Sequence, residues 1–510
     1  MAAPSENMLD FDIKLNEIIT GAFSQKHLEI LQSVTKAFRK QEFRSCAEKT
    51  VFQNLMKVFS KLSDEIHGLN QDSPATESML LRLQLTSECF RSQRNAAVQC
   101  ARNQCLMRDL GFIQVSLRVL GVLPGLQLEN TACLTEGESA LLDKSAGGCD
   151  REAPPRFQTA DCVWHALRCG IQFLGNLAVG NQVCKDDIWK HCFPHLFLDL
   201  LDHSDEKTAA YTSMVFYTCL DAQKVQELVL KQEHQELAMK VISLCQKQPE
   251  LDWAVLIVTQ HFLKSSALVE TMFVGLNHQE RVTLLELITA QLGEEVGEMD
   301  GSGVPPRLAL FLASHFQDRC KVVLSLASQS SPDEEALTVM RLLDVLCEMT
   351  SDHKKFMFLQ DHPELLETTV DLLREVHAVG KASRNVFSAA QDFSTAGGPI
   401  SHPAISFKAH LIRLIGNLSH AHTDNQNKVR EMDGLPLILD NCSIDSNNPF
   451  ISQWAIFAIR ILLEHNQENQ EVVRALERRG VAEDSALREM GFQLEERDGR
   501  LLLKPLNKNL

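Results

Sequence analysis

The sequence predicts an all-α fold assembled from repeats, and three observations carry that prediction. Apolar residues return every three or four positions along most of the chain, which is the period of one helix face. Helix-start signals recur through the sequence. A motif that ends a long apolar segment and opens the next with Asn-Gln comes back at fixed spacing. Composition agrees: with 25 Phe against 4 Trp and 2 Tyr, Leu and Phe stand where a β-protein would favour Val, Ile, Thr and Tyr. At 510 residues the chain is too long for one compact core, so several cooperative blocks or an elongated stack are expected.

Taken in order, residues 1–10 carry acids and no basic-then-apolar pattern, so no signal peptide is expected there. Helical segments follow to a first break at Pro124–Pro155, rich in Gly, Glu, Ser and Thr, which reads as a mobile insertion. The most apolar stretch, Trp253–Leu263, holds Thr259, Gln260 and His261 and falls short of the ~20 apolar residues a bilayer span needs. Membrane insertion is therefore not expected.

A milder break, 293–306, divides a domain of residues 1–292 from one of 307–510. Ala336, Val339, Met340, Leu343, Leu346 and Cys347 mark one face of a helix. Its start is written by Ser331 as cap, Pro332 in the first turn, and Asp333, Glu334 and Glu335 at the positive end of the dipole. A second start runs from Asp361 through Pro363. Residues 381–403 form another Gly- and Ser-rich insertion. At the tail, two apolar runs flank Asp498-Gly499, the signal of a small hairpin.

The repeat is clearest near the C-terminus. Leu411 to Leu418 precedes Asn425-Gln426, and Ala455 to Leu462 precedes Asn469-Gln470. Asn425 and Asn469 lie 44 residues apart, as do Asn417 and Ile461. Asn95 precedes Asn103-Gln104 by the same 8 residues that separate Asn417 from Asn425, whereas Asn176 precedes Asn181-Gln182 at a shortened gap. Gly then permits a sharp turn between a short helix and the next long one. Units of this kind bury their apolar faces only against neighbours and stack into a solenoid, with the long third helices lining one face.

This grammar resembles armadillo repeats, which implies an armadillo-like α-solenoid with a right-handed superhelix. Arg341 to Thr350, Lys408 to Leu418, Gly434 to Cys442, Asn448-Pro449-Phe450, Phe173 to Asn176 and Asn277 to Leu285 are more specifically similar to the ataxin-10 family. That resemblance covers most of the chain. The 124–155 insertion and Ile461, which stands in a position usually held by Asn, depart from the armadillo pattern.

Candidate partner-binding positions come from the third helices: Asn95, Asn176 and Asn417, with Arg91, Gln172 and Arg413 four residues before them. Armadillo proteins that bind basic localisation signals carry Trp at that earlier position, so such recognition is not expected here. Arg91 and Arg413 suit a carboxylate or a phosphate; they are otherwise solvated or paired within the stack. The Asn side chains could equally satisfy backbone groups between helices. Arg82, Arg91, Arg94, Arg102, Arg108 and Arg118 lie close together, opposed only by Glu88 and Asp109. They read as a solvated face or as an acceptor for an acidic partner segment.

Other chemistry finds little support. A net charge of −17 disfavours nucleic acid. The 15 Cys show no Cys-x-x-Cys pair and sit mostly in apolar runs, as thiols in a reducing compartment do. His191 and His195 have helical spacing, but Pro194 lies between them and no Glu follows His191. His402, His410, His420 and His422 lack a convincing further ligand. No nucleophile elbow or phosphate loop is present, so no cofactor, metal or catalytic residue is expected.

The expectation is a non-catalytic, cytoplasmic protein-binding scaffold, with a regulator of a GTPase or G protein as the alternative. The ataxin-10 resemblance adds roles in cytokinesis, centrosome and cilium basal-body function, neurite outgrowth and neuronal survival. It adds perinuclear and midbody sites, and O-GlcNAc transferase and a G-protein β subunit as partners. An exposed end of the stack would allow homo-oligomers.

Overall fold

The computed structural model describes residues 5–69, 76–127, 155–294, 303–327, 333–351, 355–382, 386–387, 404–443, 445, 447–476, 492–497 and 500–505. The expected insertions fall largely outside these residues, as do most of 293–306 and the helix-start pair Ser331-Pro332.

The chain divides into two compact halves, Met1–His261 and Phe262–Leu510. The first half runs through α1 (Ser5–Thr20), α2 (Gln25–Phe38), α3 (Gln41–Cys46), α4 (Lys49–His67) and α5 (Glu77–Ala97). It continues with α6 (Ala101–Asp109), α7 (Phe112–Val122), α8 (Pro155–Ala178), α9 (Gln182–Cys192) and α10 (His195–Leu201). It closes with α11 (Glu206–Cys219), α12 (Ala222–Glu227), α13 (Gln232–Lys247) and α14 (Asp252–Gln260). From α3 onward the helices come in threes, and the third of each triple packs on the third of the next, in the order α2, α5, α8, α11, α14.

The second half holds α15 (Ser266–Gly275), α16 (His278–Glu294), α17 (Pro306–Arg319), α18 (Glu334–Ser351) and α19 (Leu365–Ala382). Then come α20 (Phe407–Ser419), α21 (Thr423–Glu431), α22 (Gly434–Leu439), α23 (Ile451–Leu463) and α24 (Gln467–Ala475). Its face-forming helices pack in the order α16, α18, α20, α23. Two antiparallel strands follow, β1 (Phe492–Arg497) and β2 (Arg500–Pro505), with Phe492 opposite Pro505 and Arg497 opposite Arg500. The fold is all-α and armadillo-like apart from this terminal pair.

The Phe-rich composition is explained by the core. Phe59 packs edge-on against Phe90 at 5.0 Å and stacks on Phe112 at 6.3 Å, and Phe173 joins from α8. Phe59, Phe90, Phe112 and Phe173 are fully buried, so each removes ~150–250 Å² from water. The helices between them can approach closely because Gly170 on α8 faces Phe90 and Leu120, where an added Cβ would sit 2.9 Å from both side chains.

Helix starts are written by polar side chains. Asn181 accepts from Cys184 N at 3.2 Å, Asp205 from Thr208 N at 2.9 Å and Asn466 from Asn469 N at 3.0 Å. At α18, Asp333 takes the Glu335 N–H at 3.0 Å. The sharp turns use two devices. Gly111 has φ +89° ahead of α7, as the sequence suggests, whereas ahead of α22 the left-handed residue is Asp433, at φ 55°. Gly434 is needed there for space: a Cβ would lie 2.6 Å from Val429 Cγ1 and 2.9 Å from its carbonyl oxygen.

Candidate functional site

The asparagines singled out in the sequence all reach backward along the stack. Asn95 donates to the Thr35 carbonyl of α2 at 3.1 Å, and Asn176 to the Arg94 carbonyl of α5 at 3.2 Å. Asn417 donates to the Cys347 carbonyl of α18 at 3.2 Å and to Thr350 Oγ1 at 3.0 Å. In each case the amide of one third helix is engaged by the helix before it. The Gly that precedes two of them faces the other way. A Cβ on Gly175 would meet Met214 of α11, and one on Gly416 would meet Phe457 and Ala458 of α23.

The Asn-Gln pairs are staples for helix C-termini, whose last carbonyls have no partner within the helix. Asn103 donates to Ala96 O at 3.0 Å and to Arg44 O of the preceding repeat at 3.0 Å. Gln104 reaches forward to Asn176 O and Val179 O at 2.9 and 3.0 Å. The second half repeats this: Asn425 bonds Leu418 O and Gln360 O, and Gln426 bonds Ile461 O on the third helix of its own repeat at 3.1 Å. The shortened gap before Asn181 has a structural reason. Asn181 is a helix cap bonded to Gln104 Oε1, which is the place of Asn466 on Gln426, so it is not the counterpart of Asn103.

The arginines divide into two groups. Arg82 pairs with Glu65 at 2.6 Å, Arg118 with Asp64 at 2.7 Å, and Arg108 with Asp187, while Arg102 donates to Ser45 O at 3.1 Å. Arg413 is mostly buried, pairs with Glu348 at 2.8 Å and lies over the Trp454 ring at 4.8 Å. Arg91 and Arg94 differ, because both line a cavity of about 350 Å³ with His165, Arg168, Cys169, Gln172, Lys207 and Tyr211. Arg91 is held by Glu88 at 2.9 Å, Arg168 grips Asp205 through both carboxylate oxygens, and Arg94 donates to Gln172 Oε1.

This cavity is open to the third-helix face and adjoins a larger one of about 640 Å³, lined by Gln25, Gln32, Gln84, Glu88, Asp161 and others. Arg91, His165 and Arg168 belong to both. Burial, and then the Arg91 and Arg168 charges, hold His165 below the ordinary imidazole value. Burial raises the Cys169 thiol to about 11, so it stays protonated at neutral pH. Of these side chains the sequence reading placed Arg91, Arg94 and Gln172, and missed Arg168, Lys207, His165 and Tyr211. For two of these a signal was available: Arg168 and His165 lie 8 and 11 residues before Asn176, on the same helix stripe.

The histidines act locally. His410 pairs with Asp344 at 2.6 Å, and His422 caps α21 while meeting Asp361 at 3.1 Å; His402 lies outside the described residues. Among the described residues no three His, Cys, Asp or Glu side chains converge as metal ligands, and no single helix is long and apolar enough to cross a membrane. The described cysteines are free.

Residues 407–504, from α20 to the terminal strands, match the spinocerebellar ataxia type 10 protein domain. Over the longer chain, ataxin-10 of Bos taurus is 42% identical across 479 residues, covering 94% of each protein. Human ataxin-10 matches to the same identity and coverage, and that of Xenopus tropicalis is 41% identical over 100% of this chain and 99% of its own. A designed armadillo repeat protein is 12% identical, with a TM-score of 0.28 over 66% of this chain and 99% of its own. With relatives so similar along almost their whole length, the chain belongs to the ataxin-10 family.

Proposed function

We propose that the chain is a non-catalytic scaffold that binds other proteins through the faces formed by its third helices. The observation that carries this reading is the open, charged cavity lined by three successive third helices, α5, α8 and α11. Such stacks offer extended surfaces whose side chains can vary without disturbing the packing behind them. Of the residues expected to contact partners, Arg91 and Gln172 line this opening. Asn95, Asn176, Arg413 and Asn417 hold the stack together and act by placing the face.

Membership of the ataxin-10 family supports the finer reading: a cytoplasmic and perinuclear protein that also works at the midbody, centrosome and cilium basal body. Its processes would be cytokinesis, neurite outgrowth and neuronal survival. O-GlcNAc transferase and a G-protein β subunit would be among its partners, with homo-oligomers also formed. The test is affinity capture of the full chain from cells, followed by direct binding to those two purified partners. A reproducible partner set containing either one is expected. Enrichment no greater than for an unrelated helical protein, with no direct binding, would sink the reading.

A further inference from the structure

The cationic cavity has a chemistry of its own. Four cations, Arg91, Arg94, Arg168 and Lys207, line it. Two carboxylates are already engaged there, Glu88 with Arg91 and Asp205 with Arg168. That leaves Arg94, whose bonded partner is the neutral Gln172, and Lys207, with no carboxylate bonded to either among the described residues. Two uncompensated positive charges thus face one opening in a chain whose net charge is −17.

The backbone-reading groups are engaged elsewhere. Asn95 and Asn176, beside the cavity, donate their amides to Thr35 O and Arg94 O within the stack. A ligand here would be recognised by its charged side chains. The hydrogen-bond chemistry fits the same ligand. Arg94 and Arg91 keep further N–H donors beyond those used on Gln172 and Glu88, since a guanidinium has five. Tyr211 adds a phenol. The adjoining cavity continues the path across Gln84 to Gln25 and Gln32 of α2, where amides can meet either donors or acceptors.

Four third helices spaced ~8–10 Å apart make a path of about 30 Å, which takes roughly nine extended residues. We propose that this groove receives an extended acidic segment of a partner protein, with an Asp or Glu side chain seated between Arg94 and Lys207. The carboxylate of Asp161, which lines only the adjoining cavity, disfavours acidic residues there, so the segment is acidic at one end and polar at the other. The assignment rests on the protein-binding reading above and adds the ligand's chemistry to it.

The test uses the full chain and two fluorescein-labelled nine-residue peptides, one with three Glu followed by Ser-Gly repeats and the other with Gln replacing each Glu. Fluorescence anisotropy is read for wild type and for Arg94→Gln combined with Lys207→Gln, substitutions that keep hydrogen bonding and leave the core untouched. Circular dichroism checks the fold. The expected result is binding of the Glu peptide that weakens with salt, is at least about tenfold tighter than that of the Gln peptide, and falls about tenfold in the double variant. Equal binding of the two peptides, or an unchanged affinity in the variant, overturns the assignment. So does a single-stranded oligonucleotide of equal charge that binds as tightly, since the site would then be a general anion sink. If partners are still captured from cells by the double variant, this groove assignment fails while the scaffold reading stands. If wild type captures none, the scaffold reading itself fails.

Discussion

Gly416 and Asn417 are neighbours in sequence but serve opposite neighbours in space. Asn417 supplies a donor to α18, and Gly416 leaves room for α23, whose Phe457 ring and Ala458 Cα stand 3.0 and 3.3 Å from where a Cβ would lie. Each change should therefore have its own cost. Asn417→Ala is expected to lower the unfolding free energy by about 1–3 kcal/mol, because the buried Cys347 carbonyl and Thr350 hydroxyl lose a partner. Gly416→Ala is expected to cost a similar ~1–3 kcal/mol through crowding. Gly175→Ala should cost less, since the nearest atom is the flexible end of Met214. Urea denaturation of the three variants checks this order; a stabilising Gly416→Ala would refute the close-approach argument. Asn417 was legible in the sequence as a repeated position, but its direction was not. Spacing marks a residue as repeated without saying which neighbour it meets.

At the scale of helices, the junction of α8 and α11 shows how one side chain can fix two elements. Asp205 caps α11 through Thr208 N at 2.9 Å and Thr208 Oγ1 at 2.7 Å, and is gripped by Arg168 of α8. Burial alone would raise its carboxyl pKa; the bonds from Arg168 and Thr208 outweigh burial and hold it below the usual carboxylate range. A depressed folded-state pKa adds stability above the unfolded value of about 4 and loses it as the pH falls through the folded value. Asp205→Asn should cost about 2–4 kcal/mol at pH 6 by weakening the cap and stranding Arg168. At pH 3 and below the gap to wild type should narrow. Chemical denaturation at both pH values measures it, and a gap constant with pH would show that Asp205 titrates normally. Sequence periodicity located most of the helices here but not this junction, because Asp205 and Arg168 are 37 residues apart and only the packing of α8 on α11 joins them.

Across the whole molecule, the armadillo-like order of helices was readable because repetition is a one-dimensional signal. The cationic cavity was only half readable because it is assembled from three helices at once. Arg91 and Gln172 stood out by their distance from the repeat asparagines and Arg94 by its place in the arginine cluster, whereas Lys207 sits at the start of α11, outside both patterns. The staples also carry a mechanical consequence. Gln104 and Gln426 each hold the C-terminus of the third helix of their own repeat, and Asn103 and Asn425 hold carbonyls of the repeat before. Under tension applied along the chain, these amides bear load in series, like the links between carriages. Rupture should then release one repeat at a time. For the stretch from Asn425 to Asn469, 44 residues long, each step would add ~150 Å of slack at about 3.5 Å per residue. Optical-tweezer traces of the second half would show steps near that length, and Gln426→Ala would lower the force at which the last of them appears.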